Sequence, residues 1–327
     1  MQKLLTGLKP TGEITLGNYI GAIVPMVELQ EEYESYIFIA DMHAITVNQD
    51  PMELKNRIRK FIALYIACGI DPNKNIIYLQ SENEYIPAIS WLLECTTYYG
   101  EASRMIQFKE KSKQNANFSV GLLTYPILMA ADILYCDADL VPVGIDQKQH
   151  VELARDIASR FNKMYNETFK LPKPLIKEEG IKIKDLKNPT KKMSKSEANP
   201  NGVITLLDTK EQIIKKIMSA TTDSEKVIKY DMENKPGISN LMNICVSLSN
   251  ETIESLEKKF AKKSYQDFKK YVADVVVKKL EKIQKRYYEL INSQELDAIL
   301  DKGIEKTRQI AKEKYMEMTN KMGLTRK

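Results

Sequence analysis

Apolar positions in the first half of the chain follow two alternating rhythms. Short apolar runs at residues 3–8, 36–40, 75–79 and 140–143 read as strands. Residues 19–33, 51–68, 85–95, 122–135 and 147–161 repeat apolar side chains at helical spacing. Local chemistry marks the ends: Asp50-Pro51 opens one helix, and Gly69 followed by Asp71-Pro72 closes it. Such alternation predicts a Rossmann-like α/β fold, a parallel sheet with helices on both faces and ligands in the crevice beyond the strand ends. After Phe161 the pattern changes. Residues 171–201 are rich in Pro and Lys, and beyond them only helices are predicted. In the helix at about 265–291, Phe268, Val272, Val275, Leu280, Ile283, Tyr287 and Leu290 stand three to five residues apart, a single apolar stripe that reads as core. The expected division is an α/β domain at residues 1–187 and a smaller all-helical domain at 188–327, which opens with a lysine-bearing loop.

Composition agrees with two cores of unequal size, since 327 residues with 43% hydrophobic content exceed what one small core needs. No stretch approaches the length of a membrane span, and residues 1–5 lead straight into a turn rather than a signal-peptide apolar region, so a cytoplasmic protein is expected. Cys68, Cys95, Cys136 and Cys245 are widely scattered. They form neither a disulfide framework nor a CxxC pair, and with only His43 and His150 to supplement them no protein-held metal is expected. The net charge of +5 is uneven: residues 251–327 hold 19 Lys and Arg against 13 Asp and Glu. That excess suits a solvated helical surface and equally a surface that docks a phosphate backbone.

Two segments carry candidate chemistry. Thr15-Leu16-Gly17-Asn18 follows a strand and the turn Lys9-Pro10-Thr11-Gly12, and opens a helix, an order in which unpaired helix-start amides face an anion and Gly17 permits close backbone approach. Far downstream, Lys192-Met193-Ser194-Lys195-Ser196 places cations and small hydroxyls on a loop suited to a polyphosphate.

Together these segments resemble the two signature motifs of the class I aminoacyl-tRNA synthetases. The Thr-x-Gly-Asn form is that of the tryptophanyl-tRNA synthetases, which residues 39–46, 123–134 and 141–150 also resemble. The resemblance runs over nearly the whole chain. It implies activation of tryptophan by ATP, with Mg2+ arriving on the ATP and no tightly held cofactor, then transfer to the 2′-hydroxyl of tRNA(Trp). It also implies a homodimer and anticodon recognition by the C-terminal helices. By the same resemblance Lys9, Pro10, Thr11, Gly17, Asn18, Gly144, Ile145, Asp146 and Ile183 meet ATP. Lys192, Met193, Ser194, Lys195 and Ser196 close over it, with Lys192 and Lys195 on the departing pyrophosphate. Lys111 reads either as a further phosphate-contacting lysine or as a surface one.

Specificity has a local argument. Tyr125, Met129 and Asp132 stand at i, i+4 and i+7 of one helix and face the same way. Indole offers one N–H that only donates, and an ionised carboxylate only accepts, so Asp132 behind Met129 suits tryptophan. On its residue type alone, an ion pair with a nearby Lys or Arg, or a helix cap, is the better reading of Asp132, and the resemblance reverses that preference. The resemblance adds Gln147 and Tyr125 on the substrate amino group and His43, Val143 and Leu5 in the pocket wall. A pocket filled by the largest amino acid leaves smaller competitors an empty volume and an unpaired acceptor, so no editing domain is expected.

Three positions depart from the family pattern. Leu5 stands where an aromatic is frequent, Lys9 where a glutamine is common, and Ile145 where the Gly-x-Asp-Gln segment usually carries an acid. Ile145 is expected to cost a ribose or adenosine contact, and Lys9 to supply a charge partner for a carboxylate or phosphate. The rival readings are a tyrosine-specific enzyme of the same class, a paralogue that binds tryptophan or RNA for regulation, and a nucleotidylyltransferase. The last leaves the basic C-terminal helices without a role.

Overall fold

The computed structural model describes residues 1–114, 117–176, 181–194 and 199–326, without the side chains of Lys111, Gln114 and Asp146. Five parallel strands, β1 (Lys3–Leu8), β2 (Glu34–Ile39), β3 (Asn75–Leu79), β4 (Leu140–Pro142) and β5 (Lys173–Leu175), form one sheet in the order β3-β2-β1-β4-β5. The chain builds outward from β1 through β2 to β3 and then returns to the other side of β1. A crevice therefore opens beyond the C-terminal ends of β1 and β4, where successive crossovers leave in opposite directions. Four strands match the hydrophobic pattern to within two residues at either end. The fifth was hidden by Pro174, which an edge strand tolerates because its missing N–H breaks no central ladder.

Alternation along β2 divides the core in two. Ile37 and Ile39 join one buried cluster, Tyr36 and Phe38 the other, because successive strand side chains point to opposite faces. Helices Pro51–Ala67, Pro236–Leu248 and Tyr265–Leu290 cover the first face; Tyr85–Glu94, Val120–Leu134 and Lys148–Tyr165 cover the second. The stripe on Tyr265–Leu290 is buried as the spacing indicated, except that Val276 and Val277 take the central place and Val275 is only partly buried.

Two helical readings change. The run expected at 19–33 begins at Leu16, passes through a π turn at Tyr19–Ile23 and ends at Leu29. Val24 N–H bonds Tyr19 O, one residue ahead of Pro25, whose missing N–H and ring disfavour an unbroken α ladder. The helix Ile106–Gln114 was not anticipated: its polar and charged residues outnumber the apolar ones and carry no clear stripe.

The last helix, Gln294–Lys321, passes from one core to the other around the edge of β3. Leu296 and Leu300 pack in the first cluster, Ala311 and Met318 in the second. Lys314 fastens its far end, its ammonium donating to Asp137 Oδ1 and Oδ2 at 3.1 and 3.0 Å and to Thr168 O at 2.7 Å. Further upstream, the boundary expected between residues 187 and 188 falls between two segments joined by the antiparallel bridge Lys184↔Lys192.

At the crossing point Gly303 lies against β3 so closely that an added Cβ would stand 1.8 Å from Ile77 O. Gly303→Ala is expected to lower unfolding free energy by about 3 kcal/mol through forced displacement of backbone. Urea denaturation measures it, and an unchanged midpoint would contradict the packing described.

Candidate active site

Each strand end beside the crevice delivers a functional segment. Lys9 and Pro10 follow β1, helix Asp41–Ala44 with His43 follows β2, the turn Gln80–Glu82 follows β3, and Val143, Gly144 and Gln147 follow β4. Between them lies a cavity of about 380 Å³. Its wall brings together Leu5, Lys9, His43, Tyr125, Met129, Asp132, Val143, Gly144 and Gln147 from the residues singled out in the sequence, and adds Phe38, Thr46 and Gln107.

Among the described side chains Asp132 is the carboxylate in this wall, and it is 0% exposed. His43 Nε2 lies 2.9 Å from Oδ2, and Gln80 Nε2 donates to Oδ1 and Oδ2, both at 2.9 Å. Among the described residues its side-chain partners are therefore a histidine and a glutamine, not a lysine or arginine. Burial pushes the carboxyl up from the ordinary aspartate range, while the bonds from His43 and Gln80 pull it down. Four acceptor positions on a carboxylate against three bonds leave one for a donor in the cavity.

His43 is itself positioned by its helix. Asp41 at the helix start accepts from Met42 N–H at 3.0 Å and from Ser81 N–H at 3.0 Å, and also from the Ser81 hydroxyl, so the loops after β2 and β3 are tied to each other. Tyr125 meets the edge of the His43 ring at a centroid distance of 6.2 Å and an angle of 86°. Its hydroxyl lies 3.0 Å from His150 Nε2 and donates to Gln107 Oε1 at 3.4 Å, and burial pushes its pKa up to about 12. The phenol is thus neutral over the physiological range. Gln80, Gln107 and His150 escaped the sequence reading because a single polar residue at a strand end or on a helix has no periodic signature; in Gln80 the one available cue was its place directly after a strand.

The two signature segments meet outside the lining of this cavity. A Cβ added at Gly17 would lie 3.3 Å from Met193 Cβ and 3.6 Å from Met193 O. Met193 and Ile183 are buried in the first core, and Met193 N–H donates to Ile183 O at 3.0 Å. Their side chains hold the loop down and leave only their backbone for a ligand. Lys192 and Asn18 are exposed, Ser194 is half-buried, and Pro10 is buried between exposed Lys9 and Thr11. Lys195 and Ser196 lie outside the described residues, as do the side chains of Lys111 and Asp146, whereas Ile145 is 71% exposed.

The helix start differs from the simplest anion site. Leu16 N–H donates to Ile204 O at 2.8 Å, and Asn18 N–H to Thr15 Oγ1 at 3.1 Å, while Thr15 N–H and its hydroxyl donate to Asn18 Oδ1 at 3.1 and 2.8 Å. Asn18 therefore closes a capping box, and two amides expected to be open are already bonded.

Comparison with known proteins bears on this geometry. Residues 1–308 match the family model described as class I tRNA synthetases (W and Y). The chain is 53% identical to a tryptophan-tRNA ligase of Bacillus subtilis over 326 residues, which is 100% of this chain and 99% of that one. It is 50% identical to that of Bacillus anthracis, with 100% and 99% covered. Among solved structures, a tryptophanyl-tRNA synthetase of Campylobacter jejuni complexed with ADP and tryptophan superposes with a TM-score of 0.88 at 36% identity, covering 98% of this chain and 100% of that one. That of Mycoplasma pneumoniae gives 0.83 at 37% identity, with 99% and 98% covered.

Proposed function

We infer from one premise, that this chain belongs to the class I tRNA synthetases of the W and Y family, that it joins tryptophan to tRNA(Trp). In the first step the tryptophan carboxylate attacks the α-phosphorus of ATP, forming tryptophanyl-adenylate and releasing pyrophosphate. In the second, the terminal ribose 2′-hydroxyl of the tRNA takes the acyl group and AMP leaves. Little covalent chemistry falls to the protein. Its tasks are to hold the reactants in line and to neutralise the charge that develops on the phosphates.

The observation that carries the choice of amino acid is the buried carboxylate of Asp132 in an otherwise largely apolar wall. An indole ring fills the space between Leu5, Phe38, Met129 and Val143, and its N–H takes the remaining acceptor position on Asp132. A phenol also needs a donor for its oxygen, and the carboxylate offers none. Tyr125 and Gln147 receive the substrate ammonium, and Lys9 at the end of β1 faces its carboxylate or the α-phosphate. His43 acts on Asp132 rather than on the ring alone.

ATP lies toward the other rim, against Gly17, Asn18 and the backbone of Ile183 and Met193, with Thr11, Gly144, Ile145 and Asp146 on the nucleoside side. Lys192, Lys195, Ser194 and Ser196 close on the pyrophosphate, with Lys111 as a further cation. Mg2+ enters as part of the ATP substrate, held chiefly by phosphate oxygens and water. Loop closure over the phosphates excludes water and completes the site. The helices from Pro236 onward dock the tRNA, the basic excess of residues 251–327 meeting its phosphates. No helix among the described residues is long and apolar enough to cross a membrane, and we place the reaction in the cytoplasm, where tRNA is charged.

A second copy of the chain covers the patch formed by Trp91, Tyr98 and Tyr99, which are 64%, 66% and 76% exposed around a shallow recess over Leu123 and Ile127. Three exposed aromatics on one face suit a permanent contact better than solvent.

Tryptophan-dependent exchange between ATP and pyrophosphate tests the central reading. The protein is expected to support it with tryptophan and not with tyrosine, and Asp132→Ala to lower kcat/KM for tryptophan by about 100-fold or more, as loss of a buried charged acceptor dictates. Exchange with tyrosine alone would overturn the assignment. Gly17→Ala, which crowds Met193, is expected to raise KM for ATP about tenfold with KM for tryptophan nearly unchanged, in keeping with a displacement of a few tenths of an ångström at one rim. Equal effects on both substrates would contradict the separation of the two halves. In light scattering the protein is expected to run as a dimer and Trp91→Glu as a monomer; a monomeric parent protein would reject the patch as an interface.

A further inference from the structure

Asp132 has a holder that lies outside the cavity wall. Gln80 is the first residue beyond β3 and is 0% exposed. Its Nε2 donates to both oxygens of the carboxylate at 2.9 Å, and among the described residues nothing donates to its buried Oε1. The amide orientation follows from charge: turned over, it would set a carbonyl oxygen against two carboxylate oxygens. The buried Oε1 without a donor is a cost that the bond to Asp132 must offset.

The turn that carries Gln80 is also anchored. Ser81 donates its N–H and its hydroxyl to Asp41, which opens the helix bearing His43. Gln80 and His43 therefore reach Asp132 from two loops joined through Asp41 and Ser81. We propose that Gln80 is a positioning residue for substrate choice: by gripping both oxygens of Asp132 from behind, it fixes the carboxylate as an acceptor aimed into the cavity and sets the preference for a ring bearing N–H over an isostere without one. This rests on the reading of the cavity as a tryptophan pocket.

Without Gln80 the carboxylate loses two of its three bonds. It becomes free to turn about its Cβ–Cγ bond, and its burial then favours the protonated form, which presents a donor where indole also presents a donor. Both changes penalise tryptophan. Neither penalises an analogue in which sulfur replaces the ring N–H, because that ring makes no hydrogen bond to Asp132.

The test compares tryptophan with 3-(benzothiophen-3-yl)alanine in ATP–pyrophosphate exchange at saturating ATP. The parent protein is expected to favour tryptophan in kcat/KM by about 100-fold or more. Gln80→Met, similar in length and without a donor, is expected to shrink that preference at least about tenfold, with kcat/KM for the analogue and KM for ATP each within about twofold of the parent. Gln80→Asn keeps the amide but shortens its reach by one methylene, and supplies the same comparison if the methionine variant does not fold. A folded variant whose preference is unchanged, or one that loses both substrates in parallel, would overturn the proposal. Absence of tryptophan-dependent exchange in the parent protein would instead overturn the functional reading itself.

Discussion

A carboxylate taken wholly out of water costs several kcal/mol unless its oxygens are bonded, and the Asp132 carboxylate is the point at which this molecule meets that cost. Its helix, Val120–Leu134, is apolar along most of its length and supplies no partner of its own. The bonds come from two other places in the chain, His43 after β2 and Gln80 after β3, and they reach one group only because the parallel sheet delivers both strand ends to the same side. Polar satisfaction and fold are thus one requirement. The remaining acceptor position faces a cavity lined mostly by apolar side chains, where a single donor is worth more than it would be in water.

The frame that holds this geometry is stiff for identifiable reasons. Both faces of the sheet are covered, so β1 and β2 carry apolar residues on both sides, as a parallel sheet requires. Its β3 edge, which would otherwise offer unpaired backbone, is covered by the last helix through the close approach at Gly303. The helices that follow the lysine loop share their core with β1, β2 and helix Pro51–Ala67, and Leu16 and Ile14 exchange backbone bonds with Ile204 and Leu206. The signature turn at Gly17 is thereby joined to that shared core through Met193 and residues 204–206.

Much of this was legible in the sequence. Four strands and the amphipathic helices follow from the spacing of apolar residues, and the i, i+4, i+7 placement of Tyr125, Met129 and Asp132 put three side chains on one cavity wall. What was not legible depends on contacts between distant segments. β5 is three residues long with a proline at its centre, so it carried neither length nor alternation. The π turn before Pro25 is a local response to a lost hydrogen bond, which composition does not encode. Met193 stands between Lys192 and Ser194 in what reads as a solvent loop, yet its side chain is core, because only the fold places Gly17 beside it. Gln80 is the clearest case: its role is set by Asp132, 52 positions away.

The central claim is that the buried carboxylate of Asp132 reads the single donor of the indole ring. A crystal structure with tryptophan bound measures this directly. The account predicts the ring nitrogen within about 3 Å of an Asp132 oxygen, with His43 and Gln80 still bonded to the same group. A ring whose nitrogen faces away from Asp132, or a carboxylate turned out of the cavity in the complex, would contradict it.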